Sequence, residues 1–230
     1  MIDFCRHNWY HLGAILFAAL AFFLLLGPDV LSETQVILMC SFMAMLVHQC
    51  EEYSWPGGFP SMANVALFRD KGIADRYPFN ANQCWISNVF LTYAFYLIAV
   101  FFPDVIWLGL AQVMLGMLQI IAHGVVANVK LKSFYNPGLG ATVLLQWPIG
   151  IIYITRVASL GLAGPSTYVL GILGAFAAAM VLFGFPILIM RNRDTTYPFH
   201  PDEVYGFAED KIRKMQVKVP EDTSSPSLDH

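Results

Sequence analysis

Apolar residues recur along the chain in six runs of about twenty, the length that crosses the hydrocarbon core of a bilayer: 11–27, 35–53, 85–102, 105–128, 138–156 and 168–190. Runs this long and this oily predict helices solvated by lipid, since only a helix or a closed barrel satisfies its backbone there. The expected fold is therefore all-α, a polytopic membrane bundle of six transmembrane helices over residues 1–195, with both ends on one side. The connections at 28–34 and 103–104 are short, and each holds a Pro-Asp pair that stops one helix and turns the chain toward the next. The connection 54–84 is long, opened by Trp55-Pro56-Gly57-Gly58-Phe59-Pro60 and closed by Tyr77-Pro78-Phe79-Asn80. Loops of that length are seldom passive, and its middle, 62–75, predicts a short helix lying on the membrane surface. After the last run, Val204, Phe207, Ala208, Ile212 and Met215 fall at helical spacing. Glu209 and Asp210 there stand four residues before Arg213 and Lys214. Residues 201–216 thus predict an interfacial amphipathic helix, and the polar stretch 217–230 a disordered tail.

Composition sharpens this picture. The chain of 230 residues is 57% hydrophobic and 13% charged, with a mean hydropathy of +0.57, too oily for a water-soluble fold to hide. A net charge of -3 gives no footing for a nucleic acid. Twelve of the thirteen basic residues fall in the segments that six crossings place together: Arg6 before the first run, then Arg69, Lys71 and Arg76, then Lys130 and Lys132, and the rest after the sixth. Arg156 alone falls opposite. Basic residues gather on the cytoplasmic side, so both termini are expected there. Cys5, Cys40, Cys50 and Cys84 are too scattered for a disulfide framework or a thiolate zinc site. The first run ends in Gly27-Pro28-Asp29 without a small-x-small cleavage pattern, so it is expected to be a span rather than a signal peptide.

The chemistry lies in residues that do not belong in lipid. The only acids within the six runs are Glu51 and Glu52, in His48-Gln49-Cys50-Glu51-Glu52. At 100° per residue, Glu51 lies about 60° to one side of His48 and Glu52 about 40° to the other. On the fourth run Gln112, Gln119 and His123 form a polar seam, and His123 is expected at the same depth as the second run's acids. Asn88, Asn128 and Tyr135 belong to that layer. An unpaired carboxylate in hydrocarbon costs a few kcal/mol, and three physical solutions exist. His48, His123 and one or both glutamates bind a divalent metal, zinc or iron. Alternatively, repulsion and desolvation keep one glutamate protonated beside an ionised partner. In the third, the groups reach the headgroup region and brace helix ends.

His48-Gln49-Cys50-Glu51-Glu52-Tyr53 followed by Pro56-Gly57-Gly58-Phe59, with Asn88, His123 and Tyr135-Asn136-Pro137-Gly138 in order, resembles the HXXEE-domain family of small integral membrane proteins. The resemblance covers roughly residues 12–160. Gln119 stands where family members often carry asparagine. The resemblance implies a membrane-embedded catalytic or metal site and names no reaction. Physically, Asn136 and Gly138 suit a turn that folds back under the fourth helix and brings Tyr135 to the site as a donor. Trp55 and the Pro-Gly-Gly-Phe run suit an interfacial anchor or a lid.

The leading expectation is a membrane enzyme acting on a lipophilic substrate near the cytoplasmic leaflet. Its metal ligands are His48, His123 and Glu51 or Glu52, the spare glutamate is general base, and Asn88, Gln119, Asn128 and Tyr135 orient ligands or substrate. Two alternatives stay open: metal-free glutamate acid–base chemistry (a hydrolase, isomerase or cyclase), and a non-enzymatic proton-coupled carrier or assembly factor.

Overall fold

The computed structural model describes residues 1–27, 30–70 and 72–216, and among these it contains helices and no strand. The elements in chain order are α1 (Ile2–Leu26), α2 (Glu33–Tyr53), a short α3 (59–67), α4 (Ala81–Phe101), α5 (Ile106–Leu131), α6 (Leu139–Ser159), α7 (Pro165–Met190), α8 (Pro201–Val204) and α9 (Glu209–Gln216). Five of them, α1, α4, α5, α6 and α7, are long and apolar enough to cross a membrane. The fold is an all-α bundle, and these five helices mark the chain as an integral membrane protein.

The expected sixth span, α2, has the length, 21 residues, but is not among the five. Its position explains its composition. α2 packs against α1, α4, α5 and α6, so its side chains meet protein rather than lipid, and Leu38, Phe42, Met45 and Leu46 are buried alongside His48 and Gln49. A helix enclosed in this way can carry polar residues without exposing them to hydrocarbon. Its start is fixed by a capping box, Ser32 accepting from Gln35 N at 3.3 Å while the Gln35 side chain accepts from Ser32 N at 3.0 Å.

Four of the five spanning helices contain a wide, π-type turn: Ile86–Leu91 in α4, Ile120–Ala127 in α5, Thr142–Gln146 in α6 and Met180–Gly184 in α7. Such turns re-aim every side chain beyond them and recur at functional sites. The first half of α7 lies close on the first half of α5, because Gly171 and Gly174 leave no Cβ between the backbones; one added at Gly171 would stand 2.6 Å from Leu110 Cβ.

Three expectations change. α1 begins at Ile2, well before the apolar run at 11, because its polar first turns have distant partners: Arg6 Nε donates to Asn82 at 3.1 Å, and His7 Nδ1 lies 2.6 Å from Glu203 Oε2. The surface helix expected at 62–75 is the shorter α3, and Met62 through Ala66 are buried in the protein. Asn64 ends it by donating to the carbonyls of Ala74 and Phe79 and accepting from Phe79 N at 2.9 Å, folding the rest of the loop back over itself. The amphipathic helix expected over 201–216 is broken into α8 and α9, with Tyr205 extended and Ala208 at φ 62° between them. Val204 and Ile212 are buried in a cluster with Met62, Phe79 and Leu131, so this segment covers one end of the bundle. Lys211 Nζ donates to the carbonyl of Leu131 at 2.6 Å, satisfying the end of α5. The tail expected over 217–230 lies outside the described residues.

Candidate metal centre

His48 and Glu52 stand one turn apart on the last two turns of α2, so both project from the same face. His123 comes from the wide turn of α5. Glu52 Oε1 lies 3.6 Å from His48 Nε2 and 3.3 Å from His123 Nε2, and the two rings meet edge to face with centroids 4.9 Å apart. One ligand atom from each of the three lies within 4.8 Å of the others, and all three residues are buried.

The ring nitrogens facing away from this centre are each committed as donors. Asn136 Nδ2 donates to His123 O at 2.8 Å and to Asn128 Oδ1 at 2.7 Å. That fixes the amide so that its Oδ1 accepts from His123 Nδ1 at 2.8 Å. His48 Nδ1 faces the carbonyl of Gly138 at 2.9 Å, which can only accept. Thr142 Oγ1 donates to the same carbonyl at 2.7 Å. With both Nδ1 atoms protonated, the neutral imidazoles present Nε2 lone pairs toward a carboxylate oxygen. Three acceptors thus converge on one point. Histidines that bind metal show this arrangement, the outward N–H held by a carbonyl or amide and the inward nitrogen free. Tetrahedral ligands bonded at about 2.0–2.1 Å lie about 3.3–3.4 Å apart, close to the two separations from Glu52 Oε1, so the set fits a divalent ion such as zinc or iron.

Glycine is required at 138. Its φ is +97°, and a Cβ there would stand 2.6 Å from His123 Cε1 and 2.8 Å from His48 Cε1. Both imidazoles pack on its bare backbone.

The other anticipated residues separate into two groups. Gln119 and Asn88 line the same cavity as His48, Glu52 and His123, a space of about 260 Å³. Gln119 Nε2 lies 3.4 Å from His48 Nε2, while Asn88 Oδ1 accepts from Gln49 at 3.2 Å and its Nδ2 donates to Cys84 O at 3.0 Å. Glu51 is turned to the far side of the Gly138 loop. It accepts from Gly140 N at 2.9 Å, Ala141 N at 2.7 Å and the Tyr135 hydroxyl at 2.6 Å, at the start of α6, where free N–H groups favour an anion. Glu51, expected as ligand or spare base beside Glu52, is thus not brought together with the two histidines. The 60° offset from His48 that read as one arc is enough to put it on a neighbouring face of α2. Tyr135 follows Glu51 rather than His48, Glu52 and His123. Asn128 acts one step out, accepting from Asn136.

Sequence reasoning gave Asn136 only a turn role, missed the Gly138 carbonyl as the His48 acceptor, and passed over Thr142. The available signal was the tetrad Tyr135-Asn136-Pro137-Gly138 itself: a proline-held asparagine beside a glycine, close in sequence to a buried histidine. Trp55 is exposed, whereas Phe59, four residues on, lines the cavity with its ring centroid 6.3 Å from that of His123.

The family model described as "Protein of unknown function with HXXEE motif" matches residues 39–153, half of the chain. The chain belongs to the HXXEE family. No curated protein and no solved structure matches it. The matched stretch runs from α2 into α6 and so contains all three converging residues and the loop that holds them. In the HXXEE motif of this chain the histidine and the second glutamate face the cavity, and the first glutamate anchors the start of α6.

Proposed function

We propose that this HXXEE protein is a membrane-embedded metalloenzyme in which His48, Glu52 and His123 hold one divalent ion, zinc or iron, and that it acts on a lipophilic substrate. The observation that carries this reading is the convergence of three lone-pair-bearing atoms at the end of a largely apolar cavity. Left empty of positive charge, they repel one another. A single proton relieves one pair and leaves His48 Nε2 with only its 3.4 Å approach to Gln119.

Two imidazoles and one carboxylate leave coordination positions open, as hydrolytic zinc and non-haem iron sites do. Such an ion polarises a carbonyl or lowers the pKa of a bound water. The chain's own residues do the rest. Asn136 and the Gly138 carbonyl orient the imidazoles, Glu52 is the one carboxylate lining the cavity among the described residues, and Asn88 and Gln119 offer amides to a bound molecule. The ligand end of the bundle is the end to which sequence assigns Arg6, Arg69, Lys130 and Lys132, which supports a cytoplasmic placement for the site and both termini.

Metal analysis of the purified, detergent-solubilised protein tests the proposal. One zinc or iron per chain is expected, lost on His123→Ala and on Glu52→Gln. Less than about 0.2 metal per chain in folded protein expressed with both metals supplied overturns it, because a preformed three-ligand site retains its ion through purification.

A further inference from the structure

The walls of the cavity say more about its occupant than the three ligands do. Among the described residues its lining carries no lysine and no arginine, and besides the ligands its polar groups are the neutral side chains of Gln83, Asn88, Gln119 and Tyr53. Met45, Met62 and Phe79 make much of the remainder. Gln119 is the amide left to meet a head group. Its contact to His48 Nε2 is long, and it ends once that nitrogen is given to an ion, whereas Gln83 and Asn88 are already committed to Ser87 and to Gln49 and Cys84.

The cavity also has a mouth. α5 and α7 pack closely along their first halves, but beyond Gln119 they part: the wide turn of α5 packs on α3 and the start of α6, and that of α7 packs on α4. Ala122, Ala179 and Phe183 line the cavity at this divergence, and Ala122 is also exposed on the outer surface of the bundle. Around it Ile121, Val125 and Val181 face outward, so the opening gives onto the hydrocarbon rather than onto water. At about 260 Å³ the chamber falls below the roughly 300–1,000 Å³ of pockets that enclose a drug-sized ligand. It holds a head group and a few carbons, and the remainder of a chain must trail out between the helices.

We infer that the substrate is a single-chain amphiphile, entering sideways from the bilayer through the α5–α7 cleft and placing its polar head against Gln119. This rests on the proposed site for its chemistry but not for its binding, and the test keeps the two apart. Protein in lipid nanodiscs is irradiated with a diazirine-bearing C12 fatty alcohol, or with a two-chain lipid bearing the same diazirine chain, and labelled peptides are mapped by mass spectrometry. The alcohol probe is expected to label the peptides holding Ala122 and Ala179. The two-chain probe should leave them unlabelled, because a chamber of this size admits one chain. Ala122→Trp is expected to abolish that labelling while retaining bound metal, and Ala179→Phe provides the same blockade should the first variant fail to accumulate. Equal labelling by the two-chain probe overturns the substrate class, and labelling unchanged in both blocked variants overturns the route. His123→Ala, which removes the metal, should leave the labelling intact, so absence of metal alone counts against the site and not against the cleft.

Discussion

Glu51 and Glu52, adjacent in sequence, serve different structures: Glu52 Oε1 lies 3.3 Å from His123 Nε2 across the cavity, whereas Glu51 accepts the N–H groups of Gly140 and Ala141 at 2.9 and 2.7 Å on the other side of the loop. The two carboxylates face different partners. Their removal should therefore have opposite signatures. Glu52→Gln should abolish metal binding while leaving the bundle assembled. Glu51→Gln should keep its metal and lower stability by about 1–3 kcal/mol, the range for weakening hydrogen bonds to a charged acceptor. Metal content and thermal unfolding in detergent, measured on both variants, distinguish the roles; loss of metal in Glu51→Gln with normal unfolding would contradict the division.

Asn136 should set affinity without touching the ion. Replacing it by leucine removes the acceptor for His123 Nδ1 at 2.8 Å and also the donor to His123 O. Loss of such an outer partner lowers metal affinity by about 10- to 100-fold. Competition against a chelator of known affinity measures it, and an unchanged dissociation constant would remove Asn136 from the centre.

Gly138→Ala should damage fold and centre together. The left-handed backbone costs an L-residue about 1–2 kcal/mol, and the new Cβ would stand 2.6 Å from one imidazole and 2.8 Å from the other. Both rings must shift, so metal content should fall as well as melting temperature. Gly161→Ala, whose Cβ would meet nothing within 4 Å at φ +65°, supplies the backbone penalty alone and should keep its metal.

The Tyr135 hydroxyl sits above the ordinary tyrosine range, raised by burial and then by its contact with Glu51. A group raised in this way contributes stability that is fully present below the unfolded value, about 10, and is lost as pH rises beyond it. Tyr135→Phe should thus destabilise by about 1–2 kcal/mol, by the same amount at pH 6 as at pH 9. Unfolding followed at several pH values checks this; a penalty that vanishes between those limits would show the hydroxyl ionised in the fold.

The helices were legible because lipid imposes a simple rule: long oily runs span, and the runs at 85–102, 105–128, 138–156 and 168–190 lie within a few residues of α4 to α7. The extent of α1 was not, because Arg6 and His7 find polar partners in Asn82 and Glu203, far off in sequence. The matched depth of His48, Glu52 and His123 arises from regular helix spacing, and the structure does bring them together. The same spacing groups Gln112 with Gln119 and His123, yet Gln112 donates to Leu38 O at 2.9 Å, since the wide turn beginning at Ile120 shifts the helical phase of His123 and the residues after it. Asn136 sits in a turn, where no periodicity reports which way a side chain points.

The Gly138 loop also dictates when this protein becomes whole. A ribosome delivers Glu52 long before it delivers His123, and the acceptors that set both imidazoles, at 136 and 138, emerge later still. Until then the newborn chain carries an acid without its partner from α5, so fragments ending before residue 106 should be cleared by quality-control proteases faster in pulse-chase than those ending after 159. Half a chain is a liability to its cell, and the carboxylate's late companions make completion its own checkpoint.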